Sequence, residues 1–406
     1  MNREETYRLI WLWSLGFFIL AGLTGFMYRL GMLTTLPFDL TLTHVRHAHS
    51  HLMFFNWVTP IPMLLIASNV TSVAPEAVKS FKRCLFSMMA IGFAAFPFFF
   101  LYGYQSVPLG SAELPVSVIL SGGVMITWYW FLKIYLTYRE QSTPGLPRLF
   151  YESALLMLVV SSLGAWGVAV FQFGGAENPL IASALTHFFL STFTEGWCVL
   201  AALGILFKYL EVRQVPVHES WLVAPIVLGV PLMFPFGMPV HLLTNQLLIA
   251  AGFGSILVAA GLILNLVVLI RNSGKTISWE WIVVLNLLGA KIIMQVGAAI
   301  LPFNFWLGSH GLRILYLHIV LLGFVSLTFF SAWHSIRPHV NKSGLKFVTG
   351  SILLVLLSLL LISGMWPPDW QPGRPYSIVA WVALFPVLSA IWEGWLVIRS
   401  GRQTTR

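Results

Sequence analysis

The residues that could do chemistry are unevenly spaced. Four of the 11 histidines, His44, His47, His49 and His51, crowd into one short stretch that includes Arg46-His47-Ala48-His49-Ser50-His51-Leu52-Met53. His187 precedes Glu195 by eight residues, His310 precedes His318 by the same interval, His241 stands alone in a Pro-rich stretch, and Lys291 interrupts an apolar run. Imidazole binds metal ions and carries protons near neutral pH, while a carboxylate adds general acid–base chemistry. On a helix, residues four apart share a face. His47 and His51 can therefore line one surface while His49 points nearly opposite, and the three cannot readily serve one metal. Each group also has a plainer role, as a hydrogen-bonded packing histidine or, for Glu195 and Lys291, as an ion pair.

The elements that must position these residues follow from composition. The 406 residues are 58% hydrophobic and 9% charged, against about 25% charged in a soluble domain, so the expectation is an integral membrane protein. A hydrocarbon core needs roughly 20 apolar residues of helix, and spans are expected near 9–31, 49–69, 84–104, 114–135, 153–174, 181–208, 220–237, 243–270, 279–301, 312–335, 346–365 and 376–398. The reading is an all-α bundle of twelve transmembrane helices in a single polytopic domain, 1–406. The weakest boundary is Pro231 to Pro239. Cys84 and Cys198 fall at or inside apolar segments and imply no disulfide framework.

Of the 23 Lys and Arg, 18 fall at the N-terminus or in loops after even-numbered spans. Cytoplasmic loops collect positive charge. The formal net charge of +9 therefore reads as topology rather than nucleic-acid binding, and both termini are expected on the cytoplasmic side of the cell inner membrane. In that orientation His44, His47, His49, His51, His187, His241, His310 and His318 lie at or within the outer ends of spans, and His218, His334 and His339 lie on the cytoplasmic side. Lys291, mid-span, costs at least about 2.5–3.5 kcal/mol on insertion scales and requires a partner, for which Glu195 is a candidate. Glu393 reads as an interfacial charge. Asn56, Ser50 and Thr59 read as hydrogen-bonding residues between helices, and Trp128, Trp130, Trp166 and Trp197 as membrane-belt or packing residues.

The same segments carry a resemblance. His49-Ser-His-Leu-Met53-Phe-Phe-Asn-Trp-Val-Thr-Pro60 resembles the second span of haem–copper oxidase catalytic subunits and their nitric oxide reductase relatives, which selects His49 as a low-spin haem ligand. His187-Phe-Phe-Leu-Ser191-Thr-Phe-Thr-Glu195-Gly-Trp197 resembles the reductase segment that supplies a non-haem metal histidine and glutamates, with Ser191 in place of the first glutamate. His241 stands where the family has two adjacent metal histidines. Tyr316-Leu-His318-Ile-Val320 resembles the family's His-x-His, with Val320 in place of the second histidine. His47-Ala48-His49 also resembles a motif of twelve-helix NnrS-type haem and copper proteins linked to nitric oxide tolerance.

What the resemblance implies is a haem b held by His318, a second held by His49, and copper or non-haem iron near His187 and His241, with His47 and His51 as further metal candidates. His310, about 12 Å along the helix from His318, would meet a propionate or the outer surface; a propionate is also the second candidate partner of Lys291, and Trp128, Trp130, Trp166 and Trp197 could edge the porphyrin. Glu195 would relay protons, with Lys291 beside it as the other candidate catalytic group. The expected activity is binding or reduction of a diatomic gas, nitric oxide before oxygen, fed by a separate cytochrome or quinol. The alternatives are a non-enzymatic haem or copper sensor, and a multi-pass transporter without a redox cofactor. The lipid bilayer is the one partner the composition requires, and no nucleic acid is expected.

Overall fold

The computed structural model describes residues 3–141, 144–175, 178–212, 214–301, 305, 309–337, 340–370 and 372–403. His339, Arg213 and Arg406, which enter the orientation argument, lie outside them. The helices in chain order are α1 (Arg3–Leu30), α2 (Leu42–Asn56), α3 (Pro60–Val70), α4 (Val78–Tyr102), α5 (Val116–Tyr138), α6 (Leu146–Phe173), α7 (Pro179–Ser191), α8 (Val199–Tyr209), α9 (Ser220–Gly229), α10 (Asn245–Arg271), α11 (Trp279–Ile300), α12 (His310–His318), α13 (Ser326–Ile336), α14 (Ser343–Leu360), α15 (Pro375–Val382) and α16 (Phe385–Gln403). A two-stranded hairpin, Val107–Leu109 with Ala112–Leu114, joins α4 to α5.

Taken with the turns that join some of them end to end, these helices make eleven segments long and apolar enough to cross a membrane among the described residues. The protein is an all-α, multi-pass membrane protein. The segment expected to cross at 220–237 is different. Its continuous apolar helix is the short Ser220–Leu232, followed by 3₁₀ turns at Phe234–Gly237 and Val240–Leu242. Proline lacks the amide donor and clashes with the preceding turn, so Pro225, Pro231, Pro235 and Pro239 interrupt the regular helix along this stretch.

Helix starts are written locally. Thr41, Asn178, Thr244 and Ser309 cap α2, α7, α10 and α12 by accepting from backbone amides of the first turn, which otherwise lack intrahelical partners. Two spans also contain a wide π turn, Thr192–Cys198 between α7 and α8 and Ile319–Val325 between α12 and α13. Hydroxyls bond carbonyls around both: Thr192 donates to the Phe188 oxygen, Thr194 to that of Leu190, and Ser326 to that of Leu321 at 2.7 Å. π turns inside α-helices recur at functional sites.

By its packing the chain, read from sequence as one domain, divides into two compact units: 1–143 with 333–406, and 144–332. In the first, Trp11 stacks on Trp333 at 4.5 Å between ring centres, and Trp57 and Phe18 close the aromatic core. In the second, α6 packs on α7, α8 and the first π turn, and α10 on α9 and α11.

Gly103 ends α4 with φ of +61°, and a Cβ there would lie 2.6 Å from the His44 ring. Both the left-handed backbone and the close approach demand glycine. Replacing Gly103 with Ala should lower stability by about 1–3 kcal/mol, read as a lower thermal unfolding midpoint of the detergent-solubilised protein; an unchanged midpoint would refute the account.

Candidate functional site

The strongest constellation lies in the 144–332 unit. Glu195 projects from the first π turn and is 4% exposed, and Lys291 from α11 is fully buried. Their Oε2 and Nζ atoms are 2.7 Å apart. Lys291 also donates to Gln295 Oε1 at 3.1 Å and to the Tyr316 hydroxyl at 3.3 Å. That hydroxyl lies 2.6 Å from both Glu195 Oε1 and Gln295 Oε1. The Gln295 amide donates to Ser255 Oγ at 2.6 Å and to the Met233 sulfur, and Ser255 donates to the Gln295 backbone oxygen at 2.9 Å. The first π turn, α11 and α12 thus meet on one ion pair, and α10 and the turn that holds Met233 join it through Gln295. Of the two partners the sequence offers Lys291, the structure supplies Glu195.

Why these residues meet is a matter of helix geometry. Lys291 and Gln295 are four apart on α11 and share a face. Tyr316 is on α12 just before the second π turn, and the two π turns pack against each other. Gln295, Ser255 and the role of Tyr316 are not apparent from sequence, because serine, glutamine and tyrosine are ordinary enough in membrane helices to carry no signal alone.

The histidines fall into two groups. His44, His47, His49 and His51 belong to the first unit, and His187, His241, His310 and His318 to the second. Within α2 the helical spacing holds. His47 meets Tyr104 edge-on at 4.5 Å, and His51 stacks on Phe99 at 3.9 Å and bonds the Tyr104 hydroxyl through Nε2 at 2.6 Å. His44 bonds the Leu101 oxygen. These three fasten α2 to the end of α4. His49 faces the other way, its Nδ1 2.7 Å from the Ala21 oxygen of α1 and its ring over Gly25. A carbonyl only accepts, so Nδ1 carries the proton and Nε2 is the basic nitrogen.

In the second unit His318 is set the same way, its Nδ1 2.8 Å from the Ile314 oxygen. His187 packs against Gly237, where a Cβ would collide with its ring. His241 and His310 are exposed, at a 3₁₀ turn and at the head of α12. Arg313 of α12 has a buried Nε without a hydrogen-bond partner and lies within electrostatic range of His187. It is a cation that sequence reading passes over as a loop charge. Val320 is fully buried in the second π turn. Among the described residues, no group of three or more His, Cys, Asp or Glu is placed to hold a metal ion.

Three smaller expectations are settled by burial and hydrogen bonding. Glu393 is not interfacial: it is 0% exposed and pairs with His334 Nε2 at 3.0 Å, because α16 carries it into the interior of the first unit. Asn56 does join helices, donating to the Met89 oxygen at 2.8 Å. Trp128 and Trp197 are core residues.

Removing one member of a buried pair strands the other charge at a cost of about 3–5 kcal/mol. Lys291→Met should therefore destabilise the protein by that amount near neutral pH. Lys291→Met with Glu195→Gln should recover most of it. Thermal unfolding of the two variants beside the parent decides the matter, and equal losses in the single and double variants would show that the pair is not coupled. No protein-family model matches the chain, and neither does any curated protein.

Proposed function

We propose that this chain is a haem-binding membrane protein that takes up a diatomic gas, in the manner of the haem–copper oxidase and nitric oxide reductase proteins it resembles, with both termini cytoplasmic in the inner membrane. The observation that carries the reading is the imidazole of His318. Its Nδ1–H is held by the Ile314 carbonyl, which leaves Nε2 as the ligating nitrogen, the arrangement by which a backbone acceptor orients a metal-bound histidine. On the same helix Arg313 keeps a buried, unpartnered Nε, a donor suited to a haem propionate. The donor set therefore fits one haem b.

When bound, haem supplies the redox chemistry, and the protein contributes ligand, polarity and access. His318 alone would hold this haem, which would leave room for a gas. Val320, a buried aliphatic side chain, stands where the family carries a histidine of its other, low-spin haem. His49, oriented by the Ala21 carbonyl, is the corresponding ligand for a second haem. Copper or non-haem iron would rest on His187 and His241 alone, a sparse set even for a borderline metal. Glu195, Lys291 and Tyr316, the last only two residues from His318 on α12, hold exchangeable protons in the same unit. The gas we favour is nitric oxide, because the His187–Trp197 segment resembles the reductases, with electrons supplied by a separate cytochrome or quinol.

A transporter without redox cofactor is the second reading, and one observation favours it. The Ser220–Leu232 segment is a broken span, a feature of transporters. A sensor that binds the gas without turnover is the third.

Protein purified from a haem-replete host should show a b-type optical spectrum with stoichiometric haem, and His318→Ala should abolish its high-spin component. Absence of both haem and metal would sink the proposal in favour of transport. Consumption of nitric oxide under anaerobic reductant separates enzyme from sensor.

A further inference from the structure

The second span is cut in two near its middle. α2 stops at Asn56 and α3 starts at Pro60, inside one largely buried stretch that runs from Leu42 to Val70. Backbone at membrane depth must find partners for its polar groups, and donors are scarce at this break. Pro60 and Pro62 carry no amide hydrogen. The oxygens of Asn56 and Val58, four residues earlier, therefore have no helical amide to accept from. Neighbouring amides are committed elsewhere: Trp57 and Val58 both donate to the Met53 oxygen, Ile61 to that of Trp57 and Met63 to that of Thr59.

The side chains add further oxygens. Asn56 is fully buried, and its Nδ2 donates to the Met89 oxygen of α4 at 2.8 Å. A carbonyl only accepts, so this bond fixes which end of the amide is nitrogen. Oδ1 is left buried without a hydrogen-bond partner, beside Gly92, where a Cβ would strike it. Thr59 is also fully buried, and its Oγ1 has no partner either. Threonine in a helix commonly back-bonds the carbonyl four residues before it, as Thr24 and Thr71 do here. Thr59 does not, and it does not cap α3.

We propose that the break between α2 and α3 is a sodium site, with Asn56 Oδ1, Thr59 Oγ1 and the backbone oxygens of Asn56 and Val58 as its ligands. All are neutral oxygens. Calcium sites recruit carboxylates, and first-row transition metals favour imidazole or thiolate, so this set suits a monovalent ion. The C-terminal end of α2 adds the partial negative charge of a helix end. Unwound carbonyls in broken membrane helices coordinate sodium in this way. Trp57 lies between the ligating residues and packs on Trp11 and Phe18, which holds the stretch close and favours sodium over the larger potassium. One ion then serves oxygens to which the two prolines and the Asn56–Met89 bond bring no proton. The site stands whether or not His318 holds haem.

Purified protein in sodium-free choline buffer, titrated with sodium chloride at constant ionic strength and with potassium chloride in parallel, tests this directly. Sodium should raise the thermal unfolding midpoint saturably and at lower concentration than potassium, and radioactive sodium should be retained at close to one ion per chain. Thr59→Val keeps the side-chain shape and removes an oxygen, so sodium affinity should fall by about tenfold or more. Thr59→Ser keeps the oxygen and should keep the affinity. Pro60→Ala supplies the Asn56 oxygen with an amide and should weaken binding. A midpoint that follows ionic strength alone, with no sodium retained, would show that the break holds water only and would overturn the proposal. Wild-type sodium affinity in Thr59→Val would overturn it too. If Thr59→Val does not fold, the wild-type titration still decides, and unchanged affinity in Pro60→Ala removes the backbone ligand.

Discussion

A lysine ammonium with no exposure, Lys291, is the constraint on which the 144–332 unit depends. Moving that charge out of water is costly, and the cost is recovered only where an anion and further acceptors are already in place. Glu195 supplies the anion, and Gln295 and Tyr316 supply the acceptors. Each recruited group then needs satisfaction in turn, which draws in Ser255 and Met233. A single charge thereby fixes the mutual approach of α10, α11, α12 and the first π turn. A regular helix through 192–198 would continue the α7 register and rotate Glu195 relative to the neighbours it now meets. The wide turn sets that rotation, and Thr192 and Thr194 bond carbonyls around it.

The histidines divide along similar physical lines. Those of α2 that face α4 are spent on contacts with Phe99, Leu101 and Tyr104, so they fasten the N-terminal end of α2 to the end of α4. His49 and His318 are not part of that contact, and like His44 they have their protonated nitrogen assigned by a backbone oxygen, which gives the other nitrogen a defined chemical character. Residue type alone does not separate these cases. Neighbours do.

This also explains what could be read from the sequence. Eleven of the expected spans were legible because a run of apolar residues has few alternatives at that length, and their ends agree with the helices to within several residues. The broken span at 220–237 was legible only as a weak boundary, since prolines announce a break without saying how many helical bonds survive. The pairing of Lys291 with Glu195 was accessible because so few charges lie inside the spans. Gln295 and Ser255 were not accessible, because they act through the packing of three helices remote in sequence. The opposite faces of His47/His51 and His49 followed from helical spacing, but the aromatic partners that occupy His47 and His51 arrive from α4 and its following loop. The π turns leave no trace in hydrophobic periodicity, and Glu393 was misjudged because proximity to a span end says little about burial.

The two units solve the same problem of a buried carboxylate with different cations. Glu195 faces the ammonium of Lys291, and Glu393 faces the imidazole of His334. An imidazole–carboxylate pair can become neutral by shifting one proton across a single hydrogen bond, so it tolerates a dry interior without further donors. Glu393 Oε2 and His334 Nδ1 are buried without hydrogen-bond partners, as is Glu195 Oε2 apart from its ion pair with Lys291, and the Glu393 pair sits against Gly344 of α14, where any side chain would collide with the carboxylate. The ammonium pair has no such simple neutral exit. It is surrounded instead by groups that can accept or reorient protons, Tyr316 and Gln295. The polar shell around Lys291 is larger than the one around His334 because the cation it serves is harder to discharge.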